Sequence, residues 1–405
     1  MKFQRDLALQ LNRRLQEPRR FIQIVVGPRQ TGKTTAVGQA VEPLEMPVHF
    51  ISADDPGLVS REWLKNEWEQ ARVASGRTST GAVLVVDEIQ KIPQWSSIVK
   101  LMWDEDTRYK TPLKVVLTGS SSLLLQKGMA ESLMGRFEVL YCPHWCLREC
   151  SAAFGYTLEE FLYFGGYPGA AAWRHDIGRW RRYMSTSIAE PTISQDVLQM
   201  EDVRKPMLLR ALFYMGAAYS AQELSYVKLQ GQLQDAGNTV TLAHYLELLS
   251  RAGMLCGLER FAFERIRQRK SSPRLMVYDT SLVVLAADVL PSQIAEDTAF
   301  RGHLVESAVG AYLLARAQEE GFRVYYWRDR DQEVDFVLQK GASVTALEVK
   351  SGRNKRAGGS LAFLKRYPQA LCYTVGSKTC PLEDFLLGKI ELFKMTMRHN
   401  SFADY

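Results

Sequence analysis

In the first third of the chain three short runs are apolar at nearly every position: Phe21 to Val26, Ala82 to Val86 and Leu113 to Thr118. Runs of this length without alternation read as strands buried on both faces, and the helical stretches between them imply a parallel α/β sheet wound by crossover connections. Beyond about Pro143 the spacing becomes mainly helical, broken at Gly165-Gly166-Tyr167-Pro168-Gly169, which predicts a helical lid or linker over 146–204. From Lys205 the pattern predicts helices over Pro206 to Ala217, Ala221 to Lys228 and Thr239 to Ala252, the last with Leu242, Tyr245, Leu246 and Leu249 at helical spacing. Gly253 stops that helix and Met254 to Phe263 alternates like the strand of a wing, so 205–285 is expected to form a winged-helix module. The remainder, 286–405, opens with a helix from Phe300 through Arg316. Strands follow at Val324 to Trp327, Glu333 to Leu338, Val344 to Val349 and Leu371 to Val375, a second α/β core after the one in 1–145.

Composition narrows the class. With 46% hydrophobic and 24% charged residues over 405 positions, disorder, collagen and coiled-coil readings fit poorly. No apolar run approaches the roughly 18 residues of a membrane span, and the opening Met1 to Asp6 does not resemble a secretory signal. Six scattered cysteines are too few for a disulfide framework, so the expectation is a cytoplasmic protein without a membrane partner. Lys and Arg exceed Asp and Glu by 51 − 45 = 6, which permits a polyanion partner without requiring one. The charge clusters in Arg260, Arg265, Arg267, Arg269, Lys270 and Arg274, and again in Lys350, Arg353, Lys355 and Arg356, where a solvated face is the competing explanation.

The chemistry starts at Gly27-Pro28-Arg29-Gln30-Thr31-Gly32-Lys33-Thr34, followed by Thr35, which matches the full phosphate-loop pattern between an expected strand and helix. Its glycines let backbone N–H groups turn onto phosphates, Lys33 neutralises the β and γ charges, and the Thr34 hydroxyl ligates Mg²⁺, so ATP and Mg²⁺ are the expected ligands. Asp87 and Glu88 close the second strand. Asp87 reads as a metal partner through water and Glu88 as the base that polarises the attacking water, with a helix cap as the bland alternative. Ser120, after the third strand, could sense the γ-phosphate or simply cap a helix. Arg136 could reach a neighbouring subunit's nucleotide or form a surface salt bridge.

Towards the C-terminus, Glu306 lies on a helix whose Val305, Val309, Tyr312 and Leu313 would face the core. Alternation in the next hairpin sends Val334, Phe336 and Leu338 to one face and Asp335 to the other, while Glu348 and Lys350 share a face of the following strand. Three carboxylates converging with a lysine would need a cation, and oxygen donors select Mg²⁺ or Mn²⁺. Asp335, Glu348 and Glu306 would hold it and Lys350 would orient or deprotonate water, the Glu, Asp, Glu-x-Lys pattern of restriction-endonuclease-like sites. A degenerate fold kept for binding DNA, or a salt-bridged edge strand, is the alternative. Cys142, Cys146 and Cys150, with His144 between, suggest a metal, but Pro143 disfavours a regular helix and zinc sites start from closer pairs, so buried thiols are expected.

These residues together resemble the bacterial and archaeal AAA+-type ATPases that carry Gly-Pro-Arg-Gln-x-Gly-Lys-Thr and a C-terminal restriction-endonuclease-like domain. The resemblance rests on the loop at Gly27, Asp87-Glu88-Ile89-Gln90, Thr118-Gly119-Ser120-Ser121, Gly135-Arg136, Gly165-Gly166-Tyr167-Pro168, Tyr278-Asp279 and Glu333-Val334-Asp335-Phe336. It departs at Pro143 to Glu149, where the family usually has Ser-Phe before Arg-Glu. The resemblance implies an arginine finger at Arg136 and a hexameric ring. The expected function is an ATP-driven DNA-processing motor acting on a duplex end, fork or branched junction, with a metal-dependent nuclease-like domain. Its rivals are a nucleotide-switched DNA-binding or regulatory ATPase with a silent nuclease-like domain, and an ATPase that remodels proteins.

Overall fold

The computed structural model describes residues 3–54, 60–119, 133–197, 203–233, 238–262, 272–350 and 358–393. Strands β1 (Ile22–Val26), β2 (Val48–Ser52), β3 (Ala82–Asp87), β4 (Leu113–Gly119) and β5 (Phe137–Tyr141) form one parallel sheet in the order β2-β3-β4-β1-β5. The three apolar runs are its central strands. Successive residues serve opposite faces: Ile24, Leu84 and Leu117 pack under α3 (Arg61–Ser75) and α4 (Trp95–Tyr109), whereas Val25, Val85 and Val116 pack under α1 (Asp6–Gln16) and α2 (Lys33–Val41). The edge strands β2 and β5 lack such runs because each keeps part of its surface in solvent.

The segment expected to be a lid or linker begins with α5 (Leu147–Phe154), α6 (Leu158–Phe164) and α7 (Ile177–Tyr183), and continues through π-helical turns at Met184–Ala189 and Thr192–Val197. Helices α8 (Pro206–Ala218), α9 (Tyr226–Gln232) and α10 (Thr239–Arg251) precede an antiparallel pair, β6 (Leu255–Leu258) and β7 (Arg274–Val277). Helices α11 (Thr280–Ala287), α12 (Pro291–Glu296) and α13 (Thr298–Glu320) lead into a four-stranded sheet. Its strands β8 (Arg323–Asp329), β9 (Gln332–Lys340), β10 (Ser343–Val349) and β11 (Leu371–Val375) run in the order β11-β10-β9-β8, with β10 and β11 parallel. Helices α14 (Gly359–Arg366) and α15 (Leu382–Leu386) complete the described chain. One core joins all of this: Trp180, Phe213, Leu249, Val277, Leu313 and Phe336 belong to the same buried cluster.

Three sequence expectations change here. The second helix of the 205–285 region starts at Tyr226 rather than Ala221, because 221–224 bond to the β7 segment instead, through Ala221 N–H to Leu275 O (2.8 Å) and Leu224 N–H to Pro273 O (3.1 Å). The expected wing strand stops at Leu258; beyond it, Phe261 N–H donates to Tyr326 O (2.6 Å) and Tyr326 N–H to Glu259 O (3.1 Å), so this segment joins β8. Strict alternation also fails in β9. Tyr325 pairs with Val337 and Trp327 with Val334, so two residues of β9 oppose one of β8. Val334 therefore packs with Val337, Trp327 and Phe363 beneath α14, while Phe336 and Leu338 enter the main core.

Two motifs distant in sequence meet at the lid. Asp279 caps α11 by accepting from Ser281 N–H (3.0 Å) and the Ser281 hydroxyl, and its other oxygen takes Gly166 N–H at 2.7 Å. Gly165 has φ +68°, and a Cβ there would collide with the Asp279 carboxylate. Asp279→Ala, by a lost cap and a buried unpaired group, and Gly165→Ala, by strained backbone and the clash with Asp279, are each expected to lower unfolding free energy by about 2–4 kcal/mol. Urea denaturation checks this, and midpoints unchanged from wild type would mean that the seam carries no stability.

Candidate nucleotide site

β1 lies between β4 and β5, and the chain leaves its C-terminal end as the loop 27–32 before α2. Ligands of open parallel sheets bind at such strand ends, next to helix N-termini. The turn needs unusual backbone: Gln30 (φ 63°) and Gly32 (φ 86°) are left-handed, and a Cβ on the buried Gly27 would strike the Cys142 carbonyl. Lys33 is buried, its ammonium donating to Gly27 O (3.1 Å) and Pro28 O (2.6 Å), so the cation sits inside the loop. Arg29 is half-buried, while Gln30 and Thr35 are exposed.

The acidic pair stands where the chemistry needs it. Thr34 Oγ1 donates to Asp87 Oδ2 at 2.9 Å, and Thr118 Oγ1 on the intervening β4 donates to Asp87 Oδ1. Glu88 leaves the strand path in a left-handed conformation (φ 55°), with its N–H on Thr118 Oγ1 (3.4 Å) and its carboxylate receiving Gln90 Nε2 at 2.7 Å. Such backbone in a side chain other than glycine persists only where neighbours impose it, and it clusters at functional sites. These residues fit a nucleotide with Mg²⁺: a buried cation inside the loop, a hydroxyl already paired with Asp87, and a second carboxylate turned aside. Thr118 was missed by the sequence reading, which favoured Ser120 in the same hydroxyl-rich run; Ser120 lies outside the described residues. Arg136 makes a two-pronged ion pair with Asp104 of its own chain, Nε to Oδ1 at 2.7 Å and Nη2 to Oδ2 at 3.0 Å. That hydrogen bond holds the Asp104 carboxyl below its usual range.

Arg5, also missed, sits behind the loop and is only 4% exposed. Its guanidinium donates to Glu149 (Nε to Oε1 2.7 Å, Nη2 to Oε2 3.1 Å), to Thr31 O (3.1 Å) and to Pro143 O (3.2 Å). Burial works against this charge, but Cys142 and Glu149 outweigh it and hold the proton more firmly than usual. Removing one partner of so buried a pair typically costs about 3–5 kcal/mol. No local signal announces Arg5, because its partners come from distant parts of the sequence. His144 is buried beside it in the chain's next layer: Nε2–H donates to Gly253 O (2.9 Å), Nδ1 is 4.0 Å from Asp279 Oδ2, and burial lowers its pKa despite that carboxylate. Gly253 (φ +70°) lies so close to Pro28 that a Cβ would clash with the proline ring. Cys142 and Cys150 are buried and Cys146 partly so; all are free thiols, and burial together with Glu149 pushes Cys146 up to about 11.

The C-terminal carboxylates are not gathered. Among the described residues no group of three His, Cys, Asp or Glu side chains is placed to hold a metal ion, so the convergence expected of Glu306, Asp335 and Glu348 is not met. Glu306 is buried on α13. Asp335 Oδ2 accepts from Val349 N–H (2.8 Å), while Arg274 reaches Asp335 O (3.0 Å), Asp335 Oδ1 (3.4 Å) and Ala221 O (2.9 Å). Glu348 Oε1 accepts Ser360 N–H at 2.6 Å, and Lys350 is exposed. Arg274 is thus a buried tie between β7 and β9 and not a surface cation for phosphates. Arg265, Arg267, Arg269, Lys270, Arg353, Lys355 and Arg356 lie outside the described residues.

Comparison with known proteins matches three successive regions of the chain. Residues 19–151 match the family described as an AAA domain, 155–293 a domain of unknown function (DUF8612) and 301–387 a domain of unknown function (DUF4143). An uncharacterized protein of Methanocaldococcus jannaschii, MJ1544, is 23% identical over 337 residues, 78% of this chain and 72% of that protein. The Walker-type ATPase PABY2304 of Pyrococcus abyssi superposes with a TM-score of 0.50 over 71% of this chain and 96% of its own, at 14% identity, a likeness of fold. The Holliday junction branch migration motor RuvB of Thermotoga maritima gives a TM-score of 0.32 over 62% of this chain and 87% of its own, at 17% identity. With its loop, its acidic strand end and its parallel sheet, the region 19–151 matches the AAA domain family and has the fold of a Walker-type P-loop ATPase, and two regions that match families of unknown function follow it.

Proposed function

We propose that this chain hydrolyses ATP at the loop 27–34 and that nucleotide state switches its binding to DNA, with a C-terminal nuclease-like sheet that does not cut. The observation that carries the ATPase reading is the Thr34–Asp87–Thr118 hydrogen-bond set beside Glu88. Mg²⁺, when bound, supplies charge neutralisation at the β- and γ-phosphates, with Thr34 and Asp87 as the residues that would hold it. Lys33 would exchange the Gly27 and Pro28 carbonyls for phosphate oxygens. Glu88, held by Gln90, would polarise the attacking water.

The DNA reading is supported by the basic run from Arg260 to Lys270 and by three helices followed by an antiparallel pair, the element order of a winged helix. The silent-nuclease reading is favoured by Arg274. A guanidinium already pairs with Asp335, and Glu348 Oε1 accepts a backbone N–H, so a positive charge stands beside Asp335 where the metal would have to bind.

Three outcomes are expected. Lys33→Ala and Glu88→Gln each lose ATP turnover, by about 10²-fold or more where a general base is removed, while Glu88→Gln still binds ATP; wild-type turnover in Glu88→Gln excludes Glu88 from the mechanism. DNA affinity falls steeply with salt, and Arg265→Ala, Arg267→Ala and Arg269→Ala combined flatten the slope by about 3 in log–log terms at most; an unchanged slope leaves the run a solvated face. Linear, forked and four-way DNA stay intact with Mg²⁺ or Mn²⁺, and cleavage that Asp335→Ala abolishes would overturn the silent assignment.

A further inference from the structure

The Thr31 carbonyl is held from outside the loop by two short nitrogen donors, with the Cys142 thiol a longer third at 3.9 Å. Arg5 Nη1 donates to it at 3.1 Å and Trp145 Nε1 at 2.9 Å. The two donors also support each other, the Arg5 guanidinium lying 5.2 Å from the centre of the Trp145 ring. Arg5 is fixed by Glu149, whose Oε2 also caps α5 through Cys146 N–H (3.1 Å), and Trp145 is stacked on Phe154 of the same helix at 5.2 Å. Both donors are therefore anchored to the first lid helix and neither belongs to the loop.

We propose that Arg5 and Trp145 are positioning residues for nucleotide binding, which hold the Thr31–Gly32 peptide so that its N–H faces the phosphates. This rests on the reading of 27–34 as the nucleotide site. The argument is geometric. A trans peptide carries its C=O and N–H on opposite sides, and no cis peptide is present among the described residues. Fixing the Thr31 carbonyl toward Arg5 and Trp145 therefore turns the Gly32 N–H the other way, into the loop that Lys33 also enters. The left-handed Gly32 has no side chain to bias this plane, so the donors on the Thr31 carbonyl are what fix the direction of its C=O and N–H. Neither residue touches the reacting atoms, so the effect falls on affinity and spares the chemical step.

The test uses the full chain, with ADP affinity by calorimetry, KM and kcat for ATP, and thermal denaturation without nucleotide. Trp145→Phe keeps an aromatic ring against Phe154 and removes the donor together with one of the two fused rings, which the nucleotide-free Tm controls for. It is expected to weaken ADP binding and raise KM about 3–10-fold, the range of one hydrogen bond, with kcat within about twofold and the nucleotide-free Tm close to wild type. Arg5→Lys, which keeps the charge opposite Glu149 but not the fork, is expected to shift affinity the same way. Wild-type affinity in Trp145→Phe overturns the proposal, as does a fall in nucleotide-free Tm with affinity unchanged, which would mark a purely structural role. Lys33→Ala serves as the control. If the wild type itself fails to bind ADP, the nucleotide-site reading falls and takes this inference with it; if the wild type binds and Lys33→Ala does not, only the positioning role is on trial.

Discussion

A loop that points its N–H groups at phosphates must send its carbonyls elsewhere, and buried carbonyls need donors. Here each has one. Gly27 O and Pro28 O take the Lys33 ammonium, Pro28 O also takes the Thr31 hydroxyl (3.0 Å), Gly32 O takes Ala36 N–H (2.9 Å) at the start of α2, and Thr31 O takes Arg5 and Trp145. The donors come from the loop, the helix after it, the residue before α1 and the segment after β5. The turn is thus defined by the tertiary structure around it, and the parallel sheet serves mainly to bring those donors to one end.

The same end of the sheet is where the second body attaches. Pro28 abuts Gly253 at the end of α10, and His144 bonds the Gly253 carbonyl while facing Asp279, which in turn fixes Gly166. Gly253 thus stands between the loop and the β6–β7 pair. From there the path to the C-terminal sheet is short and rigid: Arg274 on β7 bonds Asp335 on β9, and one hydrophobic core runs through lid, helices and sheet.

Much of this was legible in the sequence. Strands β1, β3 and β4 announce themselves because central parallel strands are buried on both faces, and the phosphate loop because its chemistry permits few substitutes. The edge strands β2 and β5 were not legible, since partial exposure erases the pattern. Alternation misplaced Val334 because a bulge is invisible to a period-two reading, and the expected helix at Ala221 gave way to pairing with β7, a long-range contact outweighing local propensity. Glu306, Asp335 and Glu348 have the right types and spacing for a metal site, but spacing does not reveal that Arg274, from a distant strand, already occupies Asp335. Arg5 was hidden for the same reason: its role exists only once residues far apart in the chain meet.

The central claim is that Thr34, Asp87 and Glu88 form a working ATPase centre around the loop. Phosphate release from ATP by the purified chain, wild type against Thr34→Ala, with and without Mg²⁺, tests it most directly. The account predicts Mg²⁺-dependent release by the wild type and a loss of at least an order of magnitude, about 10-fold or more, when the hydroxyl that pairs with Asp87 is removed. Release by Thr34→Ala at the wild-type rate, or none by a wild type that binds ATP and Mg²⁺, would contradict it.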